Sequence, residues 1–134
     1  MPVNPRKFRR RKQGSLMIQA VGVGTIIIII AMALIDLIVM VLANGINDAA
    51  AKNAARAAAS QSTLPKAVAA ARNALQDSKP SGFITSLTLQ SVDYDPKNIV
   101  SCKTKMEISL PIPVPIVGGS YVFMAQATEP IVAR

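Results

Sequence analysis

The chain has 134 residues, of which 15 are basic and 7 acidic, and it carries a formal net charge of +8. It contains no histidine and a single cysteine, Cys102, so it lacks the commonest general base and metal ligand and cannot form an intramolecular disulfide. Because the sequence also offers no nucleophile–base spacing and no metal-ligand cluster, we expect no enzyme activity, no catalytic residues, no metal and no cofactor.

The basic residues are concentrated near the amino terminus. Six of the 15 lie within residues 6–12, RKFRRRK, and the remainder of the chain is close to neutral. A strongly basic total can indicate nucleic-acid binding. Here the basic cluster directly precedes an apolar segment, where membrane topology and anionic lipid headgroups explain it better. We therefore expect a lipid bilayer, and not nucleic acid, as a partner.

Residues 16–43 form an apolar run, LMIQAVGVGTIIIIIAMALIDLIVMVLA, which is interrupted only by Gln19, Thr25 and Asp36. About 20 apolar residues in a helix suffice to cross the hydrocarbon core of a bilayer. The run is longer than that, so the sequence predicts a transmembrane helix over residues 15–43.

The flanking charges predict the orientation of this segment. Lys and Arg next to a span are retained on the cytoplasmic side, so we expect a basic cytoplasmic leader over residues 1–14 and an extracytoplasmic remainder. Residues 41–43, VLA, are compatible with a signal-peptidase site. The apolar run is far longer than the roughly 7–15 residues of a cleaved signal, so we expect the segment to be retained.

The helix is predicted to continue past the membrane, from about Gly14 to about Ser60, because its outer part is rich in alanine, the strongest helix former. Residues 44–78 are assigned to Ala-rich extracytoplasmic helices. One narrow stripe of the first helix is predicted to carry Ile46, Ala50, Asn53, Ala54 and Ala57.

A second, short helix is predicted over residues 65–77. Thr63 is suited to be its N-cap, and Pro65 is tolerated in its first turn. One side of this helix is predicted to carry Val68, Ala71, Arg72 and Leu75.

Residues 79–134 are predicted to form a small β domain of three antiparallel strands. The first strand covers residues 82–92, which are rich in β-branched side chains, and a turn over residues 93–98 follows. Pro111–Pro115 is predicted to form an edge or extended arm, and the last strand is cut short near Pro130. Alternation in the second strand places these residues on its buried face: Val100, Cys102, Met106, Ile108 and Leu110.

The leader junction RRRKQGSLMIQ resembles the class III signal peptide of the type IV pilin superfamily. That resemblance implies cleavage between Gly14 and Ser15, with an ordinary signal anchor as the alternative. Gln19 stands where pilins usually carry a Glu that neutralises the amino terminus of a neighbouring subunit. Gln can form hydrogen bonds but cannot neutralise a charge.

The stretch IDLIVMVLANGINDAAAKNAARAAA resembles the TadE/TadG-like family of tight-adherence pilus proteins. Asp36 matches an Asp near the outer end of the family's apolar helix. The family's Ala-rich element is matched by Asn53, Ala54, Ala55, Arg56 and Ala58.

The TadE/TadG-like resemblance implies a membrane-anchored, pilin-like α+β fold and a structural role as a pseudopilin or minor-pilin-like component of a pilus or secretion assembly. It implies a bacterial inner-membrane location, and other transmembrane or pilin-like subunits as partners in a homo- or hetero-oligomer. The alternative is a membrane-anchored accessory or scaffolding subunit of another envelope complex.

Three positions within the apolar helix are candidates for contacts between helices. Gly22 and Gly24 are small enough to permit close approach of another helix. Asp36 has three alternatives: it lies near the outer headgroups, where its cost is small, it pairs with a polar or basic group on a partner helix, or it takes part in a proton relay.

Overall fold

The structure is a computed structural model that describes residues 5–77, 82–110 and 119–132, with side chains from residue 14 onward. Its elements follow the predicted order of a long helix, a short helix and a three-stranded antiparallel sheet. The chain divides into two compact units, Met1–Ile35 and Asp36–Arg134. The helices and strands are α1 (Pro5–Ala59), α2 (Leu64–Asp77), β1 (Ile84–Tyr94), β2 (Ile99–Ser109) and β3 (Ser120–Pro130).

Helix α1 is 55 residues long and begins at Pro5, earlier than the predicted start near Gly14. Proline is favoured in the first turn of a helix, and the Lys and Arg residues that follow it are good helix formers. Asn44 and Gly45 do not interrupt α1, because the alanines after them offset the cost of a single glycine, about 1 kcal/mol. The helix ends at Ala59, one residue from the predicted end.

Helix α2 begins directly after Thr63, whose carbonyl oxygen accepts a hydrogen bond from the Ala67 N–H at 2.9 Å. This is the position expected of an N-cap residue. Ala71 and Leu75 are buried as predicted, whereas Arg72 is exposed and Val68 only half-buried. The buried stripe repeats every four residues and packs towards the sheet through two alanines and one leucine: Ala67, Ala71 and Leu75.

Strand β2 lies at the centre of the sheet, antiparallel to β1 on one side and β3 on the other. The turn between β1 and β2 is tighter than the predicted residues 93–98. The Asp95 N–H donates to the Ile99 carbonyl at 2.9 Å, and the Asn98 N–H donates to the Asp95 carbonyl at 3.1 Å. The expected end of the last strand near Pro130 is confirmed. The predicted arm at Pro111–Pro115 lies outside the described residues.

The buried face of β2 carries the predicted residues, and Thr104 in the same alternation phase is buried with them. Both helices contribute to a core on this face of the sheet. One cluster consists mainly of alanines from α1 and α2 with Val100 and Cys102. A second cluster contains larger side chains: Ala43, Ile84, Met106, Ile108 and Leu110.

Three hydrogen bonds join the ends of different elements beside the last turn of α1. The Val132 N–H donates to the Ala59 carbonyl at 3.1 Å, and the Tyr94 hydroxyl donates to the Gln61 carbonyl at 2.7 Å. The Ile131 N–H donates to the Asn98 carbonyl at 3.1 Å. The residues that follow β3 are thereby fixed to α1 and to the β1–β2 turn.

Candidate functional site

The first part of α1 presents bulky apolar side chains that remain exposed among the described residues. The five isoleucines of residues 26–30 are each between 54% and 60% exposed. Among the described residues, Gly14–Ala59 is the helix long and apolar enough to cross a membrane, and its most apolar window has a mean hydropathy of 3.2. Only 11% of that window is buried, whereas the core helix of a soluble protein would be mostly buried. The segment is therefore compatible with a transmembrane span.

The residues of the predicted leader junction lie within α1. Gly14, Ser15 and Gln19 are all exposed on its surface. Gly22 and Gly24 follow on the same helix, and a methyl group added at either one would meet no atom within 4 Å. Both glycines leave open notches on the helix surface, which is the geometry that close approach of another helix requires.

Asp36 is the first residue of α1 that is buried against the rest of its unit. Its side chain is 4% exposed, and neither carboxylate oxygen has a hydrogen-bond partner among the described residues. Ala43 and Asn47, seven and eleven residues further on, lie on the same helical face and are fully buried. Asp36 therefore begins the packed stripe of α1.

A buried polar pair joins α1 to the sheet, and the sequence analysis did not identify it. The Thr104 hydroxyl donates to Asn47 Oδ1 at 2.8 Å. Asn47 Nδ2 in turn donates to the carbonyl oxygen of Phe123 at 3.2 Å. Two sequence patterns could have indicated this pair. Asn47 lies on the same helical face as the buried alanines of α1, and Thr104 alternates on the same strand face as Cys102 and Met106.

The Ala-rich element is split between two environments. Ala54, Ala55 and Ala58 are fully buried in the core, whereas Asn53 is exposed, so its predicted place on the packed stripe was wrong. The helical turn sets this outcome, because at about 100° per residue Asn53 lies roughly 150° around the axis from the middle of the face that carries Ala51, Ala54, Ala55 and Ala58. Arg56 is also exposed, and its Nε lies 3.3 Å from Glu129 Oε1 on β3.

Cys102 lies on the buried face of β2, as the alternation predicted. Desolvation by burial raises the pKa of its thiol from 9.0 to about 11. The neutral thiol therefore predominates at neutral pH, which makes Cys102 a poor nucleophile.

The described ranges bring no three His, Cys, Asp or Glu residues together in a group that could hold a metal ion. The geometry that distinguishes this chain is instead the bare apolar helix, its two notches and the unpaired carboxylate of Asp36. In comparisons with known proteins, no family model, no curated protein and no solved structure matches the chain.

Proposed function

We propose that the chain is a single-pass membrane subunit with a structural role, a pseudopilin or minor-pilin-like component of a pilus or secretion assembly. The observation that carries this proposal is one unbroken helix, α1, whose first part is apolar and uncovered and whose last part packs in a small α+β unit. The resemblance to TadE/TadG-like proteins at Asp36 and residues 53–58 supports the same role.

The surface of the first part of α1 supports a role in helix assembly. Exposed isoleucines at residues 26–30 need lipid or neighbouring helices around them. The notches at Gly22 and Gly24 suit packing in a bilayer, where association depends on close van der Waals contact and not on hydrophobic burial.

The proposed topology places the amino terminus in the cytoplasm and residues 44–134 outside it, because the basic cluster adjoins the apolar run. Protease added to intact spheroplasts should digest the region that follows Phe83, and permeabilised cells serve as the digestion control. Full protection of that region in sealed spheroplasts would reverse the orientation.

Processing at the leader junction is a separate part of the proposal. Mass spectrometry of the amino terminus from native membranes distinguishes a chain that begins at Ser15 from one that begins at Met1. A start at Ser15 supports the pilin-type leader, whereas an intact leader supports an ordinary signal anchor.

Assembly is tested by deleting the chain in its source organism and counting surface filaments or secreted products after complementation. Wild-type chain should restore them, and Gly24→Leu should restore them poorly because the added side chain fills a notch. Ala33→Leu, which adds the same side chain at another exposed position of α1, is the matched control. Full restoration by both variants contradicts the role of the Gly24 notch in assembly. Filaments that persist after the deletion, or co-purification of the wild-type chain with an unrelated envelope complex, contradict the pilus role and favour the scaffolding alternative.

A further inference from the structure

The carboxylate of Asp36 is the one buried side chain in the described residues whose polar atoms lack any hydrogen-bond partner. A carboxylate without a partner is costly to bury, and the cost is greatest when it is ionised. Native proteins retain few such groups, and an ionisable residue within an apolar helix commonly marks a functional contact. The position therefore requires a group that the described residues do not supply.

The described basic residues of the same unit do not reach Asp36. Lys52 and Arg56 lie 16 and 20 positions further along α1, about 24 and 30 Å at 1.5 Å per residue. Lys52 contacts Asp48 at 3.7 Å and Arg56 contacts Glu129 at 3.3 Å. Lys103 and Lys105 alternate away from the buried face of β2.

A second copy in parallel register does not supply the missing group either. The sequence contains no basic residue between Lys12 and Lys52. Copies of α1 packed side by side at the same height would therefore place further aspartates, and no cation, at the level of Asp36. Symmetric self-association around an axis along the membrane normal leaves the carboxylate unpaired.

We propose that Asp36 is the docking position for one lysine or arginine side chain on the membrane-proximal helix of a different subunit. Leu37, the next residue along α1, is 55% exposed, so an approaching helix would meet an apolar side chain about 100° around the helix axis from the carboxylate. The carboxylate oxygens of Asp36 are buried in the free chain. The side chains that shield them from solvent therefore have to move when the cation enters. The ion pair then forms in a low-dielectric site, where it is strong. This inference rests on the proposed function and names the chemistry of the partner.

The test is quantitative co-purification from native membranes, with the full-length chain as bait and mass spectrometry as the readout. Asp36→Asn keeps the shape but removes the charge, and it should lower the yield of one stoichiometric partner at least about tenfold. Asp36→Glu keeps the charge and should retain most of the yield. Asp48→Asn removes an exposed carboxylate from the same helix and should leave the yield unchanged.

Stability separates the docking role from a folding role. Asp36→Asn should unfold in detergent at the same or a higher temperature than the wild type, because it removes a buried charge, while its assembly falls. The decisive step is charge exchange: Asp36→Lys should lose the partner, and changing one Lys or Arg of the partner's membrane-proximal helix to Asp should restore it.

Each outcome decides between the two proposals. Unchanged yield in Asp36→Asn and Asp36→Leu, or a second copy of this chain as the co-purified subunit, overturns the Asp36 inference alone. Asp36-dependent capture of a basic subunit from an unrelated complex upholds the inference and overturns the pilus role. A wild-type chain that is recovered alone overturns both.

Discussion

The two parts of α1 that meet at Asp36 reverse the usual relation between hydrophobicity and burial. Before Asp36, the isoleucines of residues 26–30 are more than half exposed, whereas after it alanines such as Ala54 and Ala55 are fully buried. The difference is one of partners: the alanines belong to the core that both helices and the sheet form, while these isoleucines belong to neither core cluster of the described residues. Side-chain size differs between the two parts in the same way. Small residues allow helices and sheet to pack closely, whereas large apolar residues are favoured in contact with lipid.

Among changes to polar groups, the largest expected effect concerns the buried contact between Asn47 and Thr104. Asn47→Ala leaves the Thr104 hydroxyl and the Phe123 carbonyl without partners, and we expect a loss of roughly 2–4 kcal/mol of unfolding free energy. Asn53→Ala, at the exposed asparagine of the same helix, should change it by less than about 0.5 kcal/mol. Chemical denaturation of the detergent-solubilised chain, followed by circular dichroism, measures both. Equal losses would contradict the role of the buried contact, because alanine is the better helix former at both positions.

The next prediction tests whether the core between α1, α2 and the sheet requires small side chains. Ala54→Leu inserts a large group where the core has no space, and we expect a loss of about 1–3 kcal/mol. Ala49→Leu places the same side chain on the exposed face of α1 and is the control. The same denaturation assay applies, and a stable Ala54→Leu chain would mean that the helices are less tightly packed than the structure has them.

A smaller effect is expected from the thiol of Cys102. Its pKa is raised from 9.0 to about 11 in the folded chain, so the folded state holds the proton more tightly than the unfolded state. This contribution is complete below about pH 9 and is lost as the pH rises through 11; it should fall by about 1 kcal/mol by pH 10. Cys102→Ala lacks this component, so the difference between the two chains should shrink between pH 8 and pH 10. A constant difference would contradict burial of the thiol.

The smallest effect on the unfolding free energy is expected in the exposed apolar part of α1, which precedes Asp36. Ile28→Ala should leave the unfolding free energy of the packed unit unchanged within about 0.5 kcal/mol, because Ile28 is 60% exposed and contributes to neither core cluster. The same assay with Ile108→Ala, which empties a fully buried position, should show a loss of about 2–5 kcal/mol. A comparable loss from both variants would remove the distinction between the two parts of the helix.

Local patterns were sufficient to predict most of the fold. The apolar run and the alanines that follow it predicted α1, and alternation in residues 100–110 predicted the buried face of β2. The misplacement of Asn53 and Arg72 arose because both helices offer several alanine-lined faces, and only the packed partner selects one of them. Sequence spacing is a weak guide where small residues occur on all sides.

The contacts of the candidate site could not be predicted from local sequence patterns, because they join residues that are far apart in the chain. Asn47 and Thr104 are 57 residues apart, and no local signal pairs an amide on a helix with a hydroxyl on a strand. The sequence singled out Asp36 by its chemistry, but its residue type suggested an accessible position. Its burial follows from a place seven residues before Ala43 on the packed stripe, which only the helix–sheet contact reveals.

The hydrogen bonds beside the last turn of α1 have a practical consequence for labelling. They fix Val132 next to Ala59, and Ala59 lies 23 residues beyond Asp36, about 35 Å along the helix axis. A fluorescent protein or affinity tag joined after residue 134 would therefore start far from the Asp36 level and leave that surface unobstructed. The same attachment would strain a short linker, because the chain is already held at Val132, so a flexible spacer of Gly and Ser residues is the appropriate connection.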